Sequence, residues 1–207
     1  ADKNRLSMHL EADFTGTVHN TSLVVERENV PKFNGSVLII HGYRGSKDWS
    51  LTTAAYFQFL GFDVYIFDLL GHGDLVGAKG FGITDAEYIQ RFIYTQLDKT
   101  KPIVAVGNSM GGLVATTLLN QNSVDGAILQ APMIRFDNAL VGYMKDRRPW
   151  YRFVFSDRIL QDAAVLALEE VELDIERTNT LNLLKNSVAP VLIFSSNIDN
   201  VSPFEVY

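Results

Sequence analysis

Gly107-Asn108-Ser109-Met110-Gly111-Gly112 stands between two patterns of different period. The preceding residues, 102–106, form a short apolar run typical of a buried strand, and the following residues, 110–120, have helical spacing. Gly-x-Ser-x-Gly between a strand and a helix is typical of a sharp, strained turn that exposes the serine hydroxyl at the edge of a parallel sheet. The pattern alone is a weak signal, and a glycine-rich turn whose serine only caps the helix is the alternative.

Outward from this turn, short apolar runs alternate with helical patterns along the chain. The apolar runs are 36–40, 63–67, 102–106, 126–129 and 190–194, and the helical patterns are 49–60, 84–97 and 110–120. Because each parallel crossover needs a returning helix, this order predicts an α/β fold with a mostly parallel sheet and helices on both faces. Two earlier segments, 6–14 and 17–27, alternate in polarity and predict an antiparallel leading edge.

Composition excludes several classes of protein. The 207 residues suffice for one core, and the formal charge of −6 provides no basic field, so no nucleic acid partner is expected. The chain has no cysteine, which excludes disulfides, a thiol nucleophile and thiolate metal ligands. Its apolar runs are too short for a transmembrane segment. The sequence leaves the compartment open between the cytoplasm and an exported mature form.

Cofactor and metal motifs are also missing from the sequence. No His-Glu-x-x-His pattern occurs, and the glycines between 71 and 82 do not form a dinucleotide fingerprint. We therefore expect neither a metal nor a nucleotide cofactor. Acidic residues such as Asp68 and Asp74 are interpreted as turn residues.

A second strand end supplies a partner for the serine turn. The helix that begins near Met110 directs free N–H groups and a positive dipole end toward Ser109. The run 36–40 leads into His41-Gly42-Tyr43-Arg44-Gly45, whose glycines permit a tight turn. The Tyr43 and Met110 amides are thus predicted to stabilise a common oxyanion, with a plain glycine turn as the alternative.

These motifs resemble those of the α/β-hydrolase superfamily, and within it the monoacylglycerol lipase and lysophospholipase-like group with a helical lid. The matching pieces are 41–43, 67–74, 107–111 and 190–203, which follow the family's order over about residues 30–207. The resemblance implies Ser109 as the nucleophile, Tyr43 and Met110 as oxyanion donors, and a helical cap that gates an acyl pocket.

The resemblance also implies a carboxylate but leaves the base open. Asp199 stands where the family's Asp-x-Val-x-Pro loop places its triad acid, and an Asx-turn residue is the alternative. Triad order in this fold is Ser, Asp, His, yet no histidine follows Ser109. The four histidines are His9, His19, His41 and His72. We interpret the first two as structural and the last two as loop-shaping.

The strand and helix patterns, together with the family resemblance, also predict how the chain is divided. Residues 1–132 are expected to form the first part of the core, 133–187 a helical cap, and 188–207 a core strand with the acid loop. Family resemblance leads us to expect a final strand, the histidine loop and a closing helix after Tyr207. The alternative is a complete chain that has lost its base.

The expected function is hydrolysis of a carboxylic ester by an acyl-enzyme mechanism, with a small-molecule ester or lipid as substrate. A non-catalytic protein that binds acyl ligands is the alternative. Residues 145–153 mix cations with aromatic side chains, which favours either transient contact with a lipid surface or an ordinary solvated surface. The sequence does not determine the oligomeric state.

Overall fold

The computed structural model describes residues 4–14, 17–185, 187–199 and 201–202, and it contains seven strands in these ranges. The strands are β1 (Arg5–Phe14), β2 (Thr17–Glu26), β3 (Ser36–Ile40), β4 (Asp63–Phe67), β5 (Ile103–Asn108), β6 (Gly126–Gln130) and β7 (Val191–Phe194). The last five form one parallel sheet in the order β4-β3-β5-β6-β7. All carboxyl ends therefore meet at one edge.

Helices cover both faces of this sheet. They are α1 (Leu51–Leu60), α2 (Ile83–Gln96), α3 (Met110–Asn120), α4 (Phe136–Arg147), α5 (Asp157–Glu169) and α6 (Thr180–Lys185). Side chains of α1 pack on one face, and those of α2, α3 and α6 pack on the other. None of the helices in the described ranges combines the length and apolar character needed to cross a membrane.

The central strands are buried because their side chains alternate between two apolar layers. Val37 and Ile39 on β3 pack with Val106 on the α1 face. Leu38 and Ile40 point the other way and join the larger core with α2 and α3. Strands buried on both faces form continuous apolar runs, which is why the sequence pattern located them well. The predicted α/β layers are confirmed.

The first two strands form a hairpin of their own. β1 and β2 pair antiparallel from Arg5↔Glu26 to Phe14↔Thr17. The strands were predicted correctly, but their predicted place as the leading edge of the main sheet is wrong, since they form a separate two-stranded sheet. Every hairpin side chain whose burial the structure describes is exposed or half-buried, so this part of the hairpin presents no buried face to the core.

After β6, the helix that the structure forms is shorter than the helical spacing of the sequence indicates. Helical spacing extends over 158–177, but α5 ends at Glu169 and a 3-10 helix at Ile175–Thr178 follows a turn. Glu169, Glu170 and Glu172 cluster there, and negative charge is unfavourable at the negative end of the helix dipole. Glu172 adopts a left-handed backbone with φ of 58°.

Hydrogen bonds tie the two ends of that segment together. The Thr178 hydroxyl accepts from the Phe136 N–H at 3.1 Å and donates to the Ile175 carbonyl at 2.6 Å. The Thr180 N–H donates to the Ile134 carbonyl at 2.9 Å. Entry and exit of the segment are thus adjacent, so its intervening residues leave and rejoin the core at one place.

Asp85 joins the loop after β4 to the start of α2. It is fully buried, and its two carboxylate oxygens accept from the Leu70 N–H at 2.7 Å and the Gly82 N–H at 2.8 Å. Burial raises the pKa of this carboxyl, and the two N–H donors oppose that rise. The contacts keep residues 70–82 in place beside the carboxyl edge of the sheet.

We expect Asp85→Ala to lower the free energy of unfolding by about 2 kcal/mol, because two backbone donors lose their acceptor. Urea unfolding followed by circular dichroism measures the change. The control is Glu87→Ala in the same helix, where Glu87 pairs with Arg177 at the surface. That variant is expected to cost less than about 1 kcal/mol. Equal losses in the two variants would contradict the assigned role of Asp85.

Candidate active site

The turn of residues 107–112, named here the serine elbow, holds Ser109 in a strained backbone conformation. Ser109 has φ of 50° and ψ of −114°, a region that residues with a side chain rarely adopt. Its N–H donates to the Gln130 carbonyl at 2.9 Å, and its carbonyl accepts from the Gly112 and Met133 N–H groups at 2.8 and 3.0 Å. Neighbouring β6 and the start of α3 therefore hold the strained residue on both sides.

Two glycines let the helix start close against the sheet. A Cβ on Gly107 would lie 2.2 Å from the Gly111 carbonyl oxygen, and a Cβ on Gly111 would lie 2.2 Å from the Ile40 carbonyl oxygen. Real Cβ atoms do not approach backbone oxygens this closely, so only glycine fits. The first turn of α3 consequently lies directly against the end of β3.

The loop after β3 runs beside the elbow. A Cβ on Gly42 would lie 3.1 Å from the Ser109 Cβ, so this backbone passes close to the serine. Tyr43 and Met110 line the same cavity as Ser109. Neither of their N–H groups donates a hydrogen bond to any residue that the structure describes. Two free amides thus lie at the same cavity as the serine.

His41 shapes that loop from within the protein. Its Nε2 accepts from the Leu69 N–H at 3.1 Å, which leaves the proton on Nδ1, and Nδ1 donates to the Gly42 carbonyl at 2.7 Å. Burial lowers the pKa of His41, so the imidazole is neutral. Both ring nitrogens are used, and neither is available to take a proton from a serine.

An ion-pair cluster connects the loops after β3 and β4. Asp68 accepts from the Lys47 ammonium at 2.7 Å and from the Lys47 and Asp74 backbone N–H groups at 2.7 and 3.1 Å. Burial by itself would raise the pKa of Asp68, but the Lys47 and Asp74 donors outweigh it and lower this pKa to about 2. Asp68, interpreted above as a turn residue, therefore anchors two loops.

A cavity of about 210 Å³ opens at the serine elbow. One of its walls is apolar and comes mainly from α4. The apolar residues of this wall are Met133, Phe136, Ala139, Leu140 and Met144. Arg44 and Tyr143 add polar atoms, and the Arg44 guanidinium donates to the Tyr143 hydroxyl at 3.3 Å. The cavity can hold an apolar chain next to the Ser109 hydroxyl.

The acid loop, residues 195–202, reaches the edge of this cavity. Val201 lines the cavity, and Asp199 is half-buried two residues before it. Asp199 Oδ1 accepts from the Val201 N–H at 2.8 Å and the Ser202 N–H at 3.0 Å. This is the Asx-turn arrangement that the sequence left open, and both of these bonds go to the same carboxylate oxygen.

The remaining histidines make no described contact with Ser109. His72 Nδ1 lies 3.0 Å from the Leu70 carbonyl oxygen, and its buried Nε2 has no partner among the described residues. The His72 ring contacts the Tyr43 ring edge-on, with centroids 5.6 Å apart. His9 and His19 lie on the separate hairpin. Within the described ranges, no group of three or more acidic or histidine side chains is arranged to hold a metal ion.

Sequence reasoning missed the cations of the site. Lys47 binds Asp68, Arg44 lines the cavity, and Lys79 contacts the Tyr43 hydroxyl at 3.0 Å. No motif marks these residues, because their partners are distant along the chain. The only signal was position: Arg44 and Lys47 follow a strand end at the edge where ligands collect.

A parallel sheet with a strained serine turn at its carboxyl edge defines the α/β-hydrolase fold. An esterase from Pyrococcus furiosus has a TM-score of 0.59 at 20% identity, over 99% of this chain and 75% of the esterase. An esterase from Exiguobacterium antarcticum has a TM-score of 0.56 at 20% identity, over 84% of this chain and 78% of that one. An α/β hydrolase from a Penicillium species has a TM-score of 0.57 at 18% identity, over 97% of this chain and 83% of that one.

The family model described as serine aminopeptidase, S33, matches residues 31–171. This match covers more than half of the chain and includes Tyr43, Ser109 and Met110. The chain belongs to this hydrolase family. A comparison with curated protein sequences gives no match. The predicted α/β-hydrolase fold is therefore confirmed, and the lipase-like subgroup stays a proposal.

Gly111→Ala is expected to lower the free energy of unfolding by about 3 kcal/mol or more, because its Cβ would overlap the Ile40 carbonyl oxygen. Chemical unfolding monitored by tryptophan fluorescence measures the loss. Gly126→Ala is the matched control, since its Cβ would lie 3.3 Å from its nearest neighbour, the Pro190 carbonyl oxygen. That change is expected to cost less than about 1 kcal/mol. A mild effect at both glycines would show that the elbow tolerates a Cβ.

Asp68 should make stability depend on pH in the acid range. Its pKa is lower in the folded protein than its ordinary value, so its stabilisation is complete above about pH 4 and is lost as the pH falls toward 2. The advantage of the wild type over Asp68→Asn should shrink by roughly 1 kcal/mol between about pH 5 and about pH 3. Unfolding at each pH measures this difference. A difference that stays constant over this pH range for Asp68→Asn would refute the assignment.

Proposed function

We propose that this protein is a serine hydrolase that cleaves carboxylic esters through an acyl-enzyme on Ser109. One observation carries the proposal: Ser109 occupies a strained elbow beside two free amides, at a cavity with an apolar wall. Fold likeness to two esterases supports an ester as the substrate. The cavity wall supports an apolar acyl chain, as in the lipase and lysophospholipase-like group.

In the proposed reaction the Ser109 oxygen attacks the ester carbonyl carbon. The Tyr43 and Met110 N–H groups hold the negative oxygen that forms, and the dipole of α3 adds to this stabilisation. Collapse of the tetrahedral intermediate releases the alcohol and leaves the acyl group on Ser109. Water then attacks the acyl-enzyme and releases the acid.

The family resemblance implies that a histidine oriented by Asp199 would take the proton of Ser109. Asp199 would fix the tautomer of this histidine and stabilise its charged form. No histidine follows Ser109 in the 207 residues, and both ring nitrogens of His41 are occupied. The proposal therefore requires a base other than His41, and the reactivity of Ser109 tests whether one is present.

Residues 133–187 would act as the cap over the site, between the core residues 1–132 and 188–207. The hydrogen bonds of Thr178 and Thr180 close the base of this segment, and α4 supplies the apolar wall of the cavity. Trp150 and Phe153 are 57% and 92% exposed on its outer surface. Large exposed apolar side chains favour a transient contact with a lipid surface that presents the substrate.

A non-catalytic protein that binds acyl ligands is the second candidate. This candidate needs only the cavity and the two amides beside Ser109, which by themselves give little turnover. Both candidates use the same cavity. They differ in whether Ser109 reacts.

A fluorophosphonate probe is expected to modify Ser109, because it reacts with serine hydroxyls that a base activates. Peptide mass spectrometry locates the modified residue. Ser109→Ala should abolish labelling and lower p-nitrophenyl ester turnover by at least about 1000-fold. Ser7→Ala, on the exposed hairpin, is the control and should behave as the wild type. Unchanged turnover in Ser109→Ala would refute the nucleophile, and an inert Ser109 in a chain whose intact mass ends at Tyr207 would favour the binding protein.

A further inference from the structure

Arg44 brings a positive charge to a cavity that is otherwise uncharged. Among the described residues that line the cavity, it is the only charged one. Its backbone has φ of 61°, a left-handed conformation next to Tyr43. No carboxylate of the described residues forms an ion pair with it, and the Tyr143 hydroxyl takes one of its five N–H donors. The guanidinium therefore retains unused donors at the cavity.

A second cation lies on the same aromatic side chain. The Lys79 ammonium lies 3.0 Å from the Tyr43 hydroxyl and 4.7 Å from the centre of its ring. It too has no ion-pair partner in the described part of the chain. Tyr43 is 43% exposed and lines the cavity, so the lysine adds positive potential near the cavity entrance.

The acidic residues 68, 74 and 85, which flank the segment that carries Lys79, have other partners. Asp68 and Asp74 both form ion pairs with Lys47. Asp85 is buried and accepts hydrogen bonds from two backbone N–H groups. The chain as a whole has a formal charge of −6, so a positive cavity entrance is a local feature and not a general one. The net charge of the chain would repel a negative ligand group, and these two cations would attract it.

We propose that Arg44, assisted by Lys79, binds an anionic oxygen group of the substrate, a carboxylate or a phosphate, while the apolar part of the substrate occupies the α4 side of the cavity. The planar guanidinium fork matches both groups, and a charged acceptor forms stronger hydrogen bonds than a neutral one. The inference rests on the proposed function, because it names the class of ester that Ser109 would attack. It makes Arg44 a specificity-determining residue.

A structural role for Arg44 makes a different prediction. Its bond to the Tyr143 hydroxyl joins the loop after β3 to α4, and a purely structural arginine would hold these elements without regard to the charge of the ligand. Loss of such a contact would weaken the binding of neutral and anionic ligands to the same extent. The ratio of the two affinities therefore separates the roles.

The test measures binding to the full chain carrying Ser109→Ala, so that no ester is turned over. Isothermal titration compares monomethyl suberate with dimethyl suberate, and octyl phosphate with octanol, each pair differing in the anionic group. The anionic member of at least one pair is expected to bind about tenfold more tightly. A preference within the first pair assigns a carboxylate, and one within the second pair assigns a phosphate. Added salt should lower the preference, a result that needs no further variant.

Arg44→Gln is expected to reduce the preference to about one, and Arg44→Lys to retain part of it, since lysine keeps the charge without the fork. Arg91→Gln, an exposed position on α2, is the matched control and should keep the full preference. Equal affinity for both members of each pair, no binding of either anion, or a preference that survives Arg44→Gln would overturn the inference. Because binding needs no turnover, an inert Ser109 with the preference intact would remove only the hydrolase proposal.

Discussion

The backbone of Ser109 is the constraint on which the rest of the site depends. A φ of 50° with ψ of −114° turns the chain from β5 into α3 within one residue and is unfavourable for serine. Three backbone hydrogen bonds to residues 112, 130 and 133 hold it there. The glycines at 107 and 111 remove the side chains that would otherwise separate the helix start from the sheet. The strain persists because the packing around it leaves no other conformation.

The loops beside the elbow are held by a different kind of interaction. Neutral His41 and the ion pair of Asp68 with Lys47 fix the turns after β3 and β4 through hydrogen bonds to backbone groups. Buried carboxylates are stable only when donors surround them, and here the loops supply those donors. The same bonds that stabilise the fold thus place the Tyr43 amide near Ser109, so stability and geometry cannot be varied separately at these residues.

The sequence predicted what is encoded locally. The five core strands and α1 to α3 have clear apolar periods, and the elbow is a contiguous motif. The sequence alone therefore predicted that Ser109, Tyr43 and Met110 lie at one edge of the sheet. The attachment of the hairpin and the end of α5 could not, because they depend on packing and on charge at a helix end. Arg44, Lys47 and Lys79 were missed for a related reason: their roles arise from partners on other loops.

These contacts divide the site into two parts with separate supports. The elbow and the Tyr43 and Met110 amides rest on the sheet, through β3, β5 and β6. The cavity wall rests on α4, whose segment is joined to the core at Phe136 and closed by Thr178. Arg44 lies at the boundary, because its backbone belongs to the loop after β3 while its side chain reaches Tyr143 on α4. A change of ligand class can therefore arise from α4 and Arg44 while the strained elbow stays unaltered.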